Sequence, residues 1–421
     1  MSVFDKLRRM GPGLVTGAAD DDPSGIATYS QAGAQFGTGL MWTMTLAYPL
    51  MVAVQLASAR VGRVTGHGLG SSLDKVMPKA LVIGLIGLLF CANTINVGAD
   101  LAAMGAASAL VIPGSPHLFT IVFALVSLTL QLFVPYHSYV NFLKWLTLVL
   151  FAYIALLFIV KVDWAMAATG LVIPKISGIA AVTAIVAIFG TTISPYLFFW
   201  QAAQEVEDIN QSDEREPLKN KRAQAPDALS RIRWDTFAGM GVSTIVALAI
   251  MLGTAATLNV AGKTDIQSAS DAAQALKPIA GNFAFAIFSL GIIGTGLLAI
   301  PVLAGSSAYA VCEIGGWSAS LEDKPMRAKA FYAVIALGTV LGLSIDWSDV
   351  NPMKALFWSA VINGMVAVPV LIGLMVVVSK RSIMGAFVAS PMLKFFGWLA
   401  TAVMTVAAVA MIVLSTPLAG S

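Results

Sequence analysis

The chain has 421 residues, of which 58% are hydrophobic and only 11% charged, with a formal net charge of +3 and a mean hydropathy of +0.83. A water-soluble domain carries about 25% charged residues and about 45–50% apolar ones, so this composition excludes a soluble globular fold. The small net charge and the lack of a basic stripe with interleaved aromatics leave no nucleic-acid partner to expect.

Long apolar runs recur from end to end, without the alternation over ~10 residues that marks a membrane β-barrel. The pattern predicts an all-α polytopic membrane protein with the lipid bilayer as its surroundings. Eleven spans are predicted in chain order, at 11–34, 40–62, 80–112, 117–135, 141–161, 178–203, 234–258, 281–312, 329–345, 353–379 and 393–416. Cys91 and Cys312 fall inside spans and read as small buried hydrophobes. His67, His117 and His137 sit near connections and form no zinc-type spacing.

The basic start, MSVFDKLRRM, carries no cleavage site and reads as a cytoplasmic N-terminus. With that end inside, twenty of the 25 lysines and arginines fall in cytoplasmic connections, Lys144 and the six from Arg215 to Arg233 among them. Five fall outside: Lys161, Lys175, Lys263, Lys277 and Lys354. The C-terminus is then extracytoplasmic, in a bacterial-type plasma membrane. The long polar insert 205–235, which contains EREPLKNKRAQAP, reads as a solvated cytoplasmic loop, with a regulatory segment as the other reading.

Spans one and six each carry a proline in mid-run, as Asp22-Pro23 and Ser194-Pro195. Four spans separate them, and an odd period inverts the second half relative to the first. This predicts a five-plus-five inverted repeat in which two broken helices meet at the midplane. The expected units are a first repeat at 1–161, a second at 162–379 and an extra span with the C-terminus at 380–421.

The stretch AADDDPSGIA, at 18–27, carries the strongest chemical signal. Eleven residues separate Gly11 from Asp22, roughly 16 Å of helix, against a hydrocarbon core about 30 Å thick. Three aspartates at that depth cost on the order of 8–10 kcal/mol, and no arginine or lysine lies in a predicted span at that level. A cation from solution is the simplest partner. Pro23 and Gly25 disfavour helix across Asp22–Gly25, and unwinding frees carbonyls that bind cations. Asp22, beside the break, is the expected direct ligand. Asp20, Asp21 and Ser24 are expected to line a wet vestibule or act through water. The competing reading is an Asp-Pro helix cap in a loop.

In span six, Thr191, Thr192 and Ser194 offer hydroxyls, and Pro195 orphans the carbonyl of Thr191. Tyr196 and Gln201 follow, and Gln204 and Glu205 continue at helical spacing. Hydroxyls in membrane helices also commonly bond their own backbone, so each has a structural reading too.

The segment from Gly11 to Gly37, with DDDPSGIATYSQAGAQFG, resembles the first helix of the Nramp divalent-metal transporters, and ARVGRVTGHGL at 59–69 resembles that family's second. The resemblance implies a LeuT-like fold of eleven helices. It matches Asp22 to the family's metal-binding aspartate. Gly25 stands where the family has a binding asparagine, and Ser194-Pro195-Tyr196 where it has Met-Pro-His. Gln201 replaces a second histidine. Asp100-Leu101-Ala102-Ala103 stands for an Asp-Leu-Ala-Glu on the family's proton route, and Asn363 is nearest to a polar glutamine in span ten.

The expected metal-site set is Asp22, Gly25, Thr191 and Ser194, an oxygen-only environment suited to a partly hydrated Mg²⁺. Gly25 and Ser194 are also expected to widen the cavity. The pattern is most like the Nramp-related magnesium transporters, which implies uptake of Mg²⁺, with Mn²⁺ also carried, by alternating access and without tight proton coupling. The alternatives are a proton-coupled Mn²⁺/Fe²⁺ transporter and, further off, an amino-acid transporter on the same plan. No nucleophile–base pair or phosphate loop suggests an enzyme, no resident cofactor is expected, and a monomer is compatible with the sequence.

Overall fold

The computed structural model describes residues 16–415 apart from 18, 135–146, 213 and 349. Helices account for most of it, the main ones being α1 (Pro23–Phe36), α2 (Trp42–Thr65), α3 (Lys79–Ser108), α4 (Pro116–Phe133), α5 (Phe151–Leu156), α6 (Gly178–Thr192), α7 (Pro195–Asn210), α8 (Ala225–Thr254), α9 (Ala284–Gly315), α10 (Lys329–Leu343), α11 (Pro352–Ser379) and α12 (Pro391–Ser415). Among the described residues, nine segments are long and apolar enough to cross a bilayer, with α6 and α7 counted together. The chain is a multi-pass membrane protein. The predicted spans 11–34 and 141–161 fall partly outside the described residues, as do Lys144 and His137.

Prolines set many helix starts. Pro23, Pro116, Pro195 and Pro352 each sit in a first turn, where the missing N–H costs nothing. Gly66 and Gly316 end α2 and α9 in the left-handed conformation, at φ 69° and 68°.

Helix α3 packs along α9 and α11, α6 packs on α11, and α8 packs on α1 and α2. Small residues permit the tightest crossings: a Cβ on Gly62 would overlap the Ala202 carbonyl of α7, and one on Gly190 would overlap the Ala360 carbonyl of α11. Leu81 and Leu88 on α3 and Val406 and Val409 on α12 point outward, as a lipid-facing surface requires. Tyr29, Phe189, Tyr196, Phe198, Phe199 and Trp200 are fully buried, all on the helices that flank the two breaks.

One expectation changes. Cys312 is buried, but Cys91 is exposed on the outer side of α3, where a thiol serves as a small apolar group against lipid. The insert 205–235 is part helix and part exposed connection, with most residues from 210 to 223 open to solvent. Helix α7 continues to Asn210 and α8 begins at Ala225. Between them Leu218 is buried, and the N–H groups of Leu218 and Lys219 donate to the carbonyls of Arg63 and Val64 at 3.1 and 3.3 Å. Some of its charges pair, with Arg231 on Glu205 at 2.5 Å and on Asp235 at 3.3 Å.

Candidate metal site

Asp22 lies between two helical pieces, after helical residues 19–20 and before α1. Its backbone is extended (φ −65°, ψ 171°) and its side chain caps α1, accepting from Gly25 N. Asp22 is therefore a helix cap at a break between two helical pieces, at a residue with no solvent exposure. Oδ1 accepts from Gly25 N and Ser24 Oγ, both at 2.7 Å. Oδ2 lies 3.1 Å from Asn96 Nδ2 and 3.4 Å from Tyr196 Oη. Among the described residues no lysine or arginine pairs with the triplet.

The aspartates do not converge. Asp20 Oδ2 accepts from Ser243 Oγ of α8 at 2.6 Å, and Asp21 Oδ1 lies 3.2 Å from the same hydroxyl. Both residues are buried, so in this conformation they line no open vestibule. No cluster of three or more His, Cys, Asp or Glu suited to a metal occurs among the described residues. Asp21 and Asp22 both lie in the break, and Asp22 is the one that caps α1.

The second break lies opposite. Ser194 is extended (φ −77°, ψ 135°) before Pro195, and its side chain makes no cap. Its hydroxyl turns back to the carbonyls of Gly190 (2.5 Å) and Thr191 (2.9 Å), so the carbonyl that Pro195 orphans is met locally. Thr192 Oγ1 likewise bonds the Ile188 carbonyl at 2.9 Å. The Thr191 and Tyr29 hydroxyls face one another without a hydrogen bond of ordinary geometry. Tyr196 Oη reaches Ala19 O at 3.3 Å as well as Asp22, tying the two breaks together. Gln201 Oε1 accepts from Thr16 Oγ1 at 2.6 Å.

Gly25 does not open a cavity here. A Cβ on it would sit 3.2 Å from Asp20 O and 3.3 Å from Thr191 Oγ1, so the neighbours have closed in. Asp100 is buried on α3 with both carboxylate oxygens unbonded, and the Asn363 amide of α11 is unbonded too.

Three contributors were not anticipated from the sequence: Asn96 on α3, Ser359 on α11 and Ser243 on α8. Asn96 Oδ1 accepts from Ser359 Oγ at 2.6 Å, giving a chain Ser359–Asn96–Asp22 across three helices. One turn away, Asn93 Nδ2 donates to Leu303 O, Ser306 Oγ and Ser307 Oγ of α9 at 2.8–3.0 Å. A signal was present in the sequence: Asn93, Asn96 and Asp100 recur at i, i+3 and i+7 in an otherwise apolar run, one polar face on a membrane helix.

Two discontinuous helices meeting at a buried carboxylate, inside an all-helical membrane frame, define the LeuT-like class of transporter folds. Solved structures agree with that frame. The manganese transporter of Eremococcus coleocola superposes with a TM-score of 0.79 at 16% identity, over 98% of this chain and 88% of that one. MhsT, solved in complex with L-phenylalanine, superposes at 0.62 and 13%, over 96% and 98%. The family is then given by the sequence itself: the profile "Natural resistance-associated macrophage protein-like" matches residues 13–414, and the chain belongs to the Nramp family. A relative named divalent metal cation transporter MntH, from Acidiphilium cryptum (strain JF-5), is 27% identical over 391 residues, 89% of this chain and 83% of its own length.

Proposed function

We propose that this protein carries divalent metal cations across the membrane by alternating access around Asp22. Mg²⁺ is the preferred substrate, Mn²⁺ is also carried, and entry is not tightly coupled to protons. The observation that carries this is a fully buried carboxylate between two helix breaks, with no lysine or arginine paired to it among the described residues and with hydroxyl, amide and carbonyl groups around it. Buried carboxylates without a basic partner call for a cation. Oxygen donors without thioether or imidazole favour a hard one, and Ser194, Pro195 and Tyr196 supply neither sulfur nor imidazole at the second break. The names of the relatives support the divalent class. The lysine and arginine distribution supports a cytoplasmic N-terminus.

Mg²⁺ flux into proteoliposomes tests this, with Asp22→Ala as the variant and Ca²⁺ as the counter-screen. Flux that disappears in the variant and discriminates against Ca²⁺ is expected. No Mg²⁺ flux, or flux that the substitution leaves intact, overturns the reading.

A second reading, proton-coupled Mn²⁺ entry, rests on Asp100. A carboxylate buried without a hydrogen-bond partner, one turn from Asn96 on α3, is placed as a proton carrier would be. Acidification of the liposome interior in step with Mn²⁺ entry, abolished by Asp100→Asn, would favour it over the first.

A further inference from the structure

The Asn96 amide points its nitrogen at Asp22 Oδ2 from 3.1 Å. That arrangement suits a bare carboxylate. It is wrong for a carboxylate holding a cation, because amide hydrogens carry partial positive charge and would face the ion. When an ion arrives, this group must turn or leave. It is fully buried and its far end is held by Ser359, so turning in place is the smaller change.

The neighbours are arranged for turning. The terminal torsion of an asparagine is broad and roughly two-fold, so a half-turn exchanges Oδ1 and Nδ2 in place. On the far side, Ser359 Oγ lies 2.6 Å from Asn96 Oδ1 and 2.7 Å from Leu356 O. A hydroxyl has one proton and two lone pairs. It can give its proton to Asn96 Oδ1, or give it to Leu356 O and accept from Asn96 Nδ2. Both orientations of the amide therefore leave Ser359 satisfied.

Tyr196 has the same freedom. Its one proton can go to Asp22 Oδ2 or to Ala19 O. The two donors on Oδ2 can thus be withdrawn, whereas Gly25 N and Ser24 Oγ on Oδ1 hold the cap of α1. Oδ2 is the ion-facing oxygen.

We infer that Asn96 is a reversible ion ligand: without an ion its Nδ2 holds Asp22, and with a divalent cation at Asp22 Oδ2 the amide turns over and presents Oδ1 to the metal. An amide oxygen is a suitable donor for Mg²⁺ and Mn²⁺. The inference rests on the reading of Asp22 as the ion-binding carboxylate.

The test is Mg²⁺ and Mn²⁺ binding to the purified full chain by calorimetry, with Asn96→Leu, Asn96→Asp and Asp22→Ala. Asn96→Leu, which keeps the size and removes the oxygen, is expected to weaken binding about ten-fold or more. Asn96→Asp offers oxygen but no N–H, and is expected to bind at least as well as the wild type. A group that only orients Asp22 by donating to it predicts the reverse, with Asn96→Asp the worse of the two, and that result overturns the inference. So does wild-type binding by Asn96→Leu while Asp22→Ala binds nothing. Asp22→Ala binding as the wild type removes the underlying reading instead. If Asn96→Leu fails to fold, Asn96→Ala replaces it and the comparison with Asn96→Asp decides.

Discussion

The first break places Asp22 before Pro23 and the second places Ser194 before Pro195. Both residues are extended, at ψ 171° and 135°, and both prolines begin a helix. The side chains then go opposite ways. Asp22 reaches forward to cap α1 with one oxygen and keeps the other for partners from α3 and α7. Ser194 reaches back to the two carbonyls that its own break exposes. A proline break in a membrane helix leaves backbone groups that something must satisfy. Here one break is sealed by its own hydroxyl and the other leans on side chains from two further helices, so the two halves of the site are unequal despite their shared pattern.

The largest blow to this asymmetry is Asp22→Asn. The amide still caps α1 through its oxygen, so the fold survives, but the charge is gone. Mg²⁺ flux into proteoliposomes is expected to fall to the level of empty liposomes, with an unchanged elution profile in detergent. Next comes Ser194→Ala, which unseals the second break. Thermal unfolding should show a loss of about 1–3 kcal/mol for the carbonyls left unmet, while flux stays within about two-fold. A smaller effect follows from Gly25→Ala, whose added methyl meets Asp20 O and Thr191 Oγ1 at 3.2–3.3 Å. Flux is expected to drop about three-fold from overpacking between the breaks. The smallest is Ser243→Ala. It removes the hydroxyl shared by Asp20 and Asp21 and should lower stability by about 1 kcal/mol, without changing which ion is carried.

Both breaks were legible in the sequence because proline and its preceding polar residue are neighbours in the chain. The membrane frame was legible for a similar reason: apolar runs and their flanking charges are local patterns, and α2, α3, α9 and α11 begin and end within a few residues of expectation. The polar face of α3 at Asn93, Asn96 and Asp100 was visible too; what the sequence hid is that this face meets Asp22. Asn96 is 74 residues from Asp22, and Ser359 is 263 from Asn96. A serine on a membrane helix carries no mark of the helix it will face. The insert at 205–235 keeps the exposed charges its composition announced, but its sequence did not show that Arg231 of α8 would reach Glu205 and Asp208 of α7.

That insert also has a mechanical consequence. The N–H groups of Leu218 and Lys219 clasp the end of α2, Arg63 reaches Gln224 at 3.0 Å, and Arg231 of α8 grips Glu205 of α7. The ends of α2, α7 and α8 are yoked together below the second break. Any swing of α7 about Ser194 drags α2 and α8 with it or tears the clasp. The joint above is a single extended residue, and the arm below it is three helices wide.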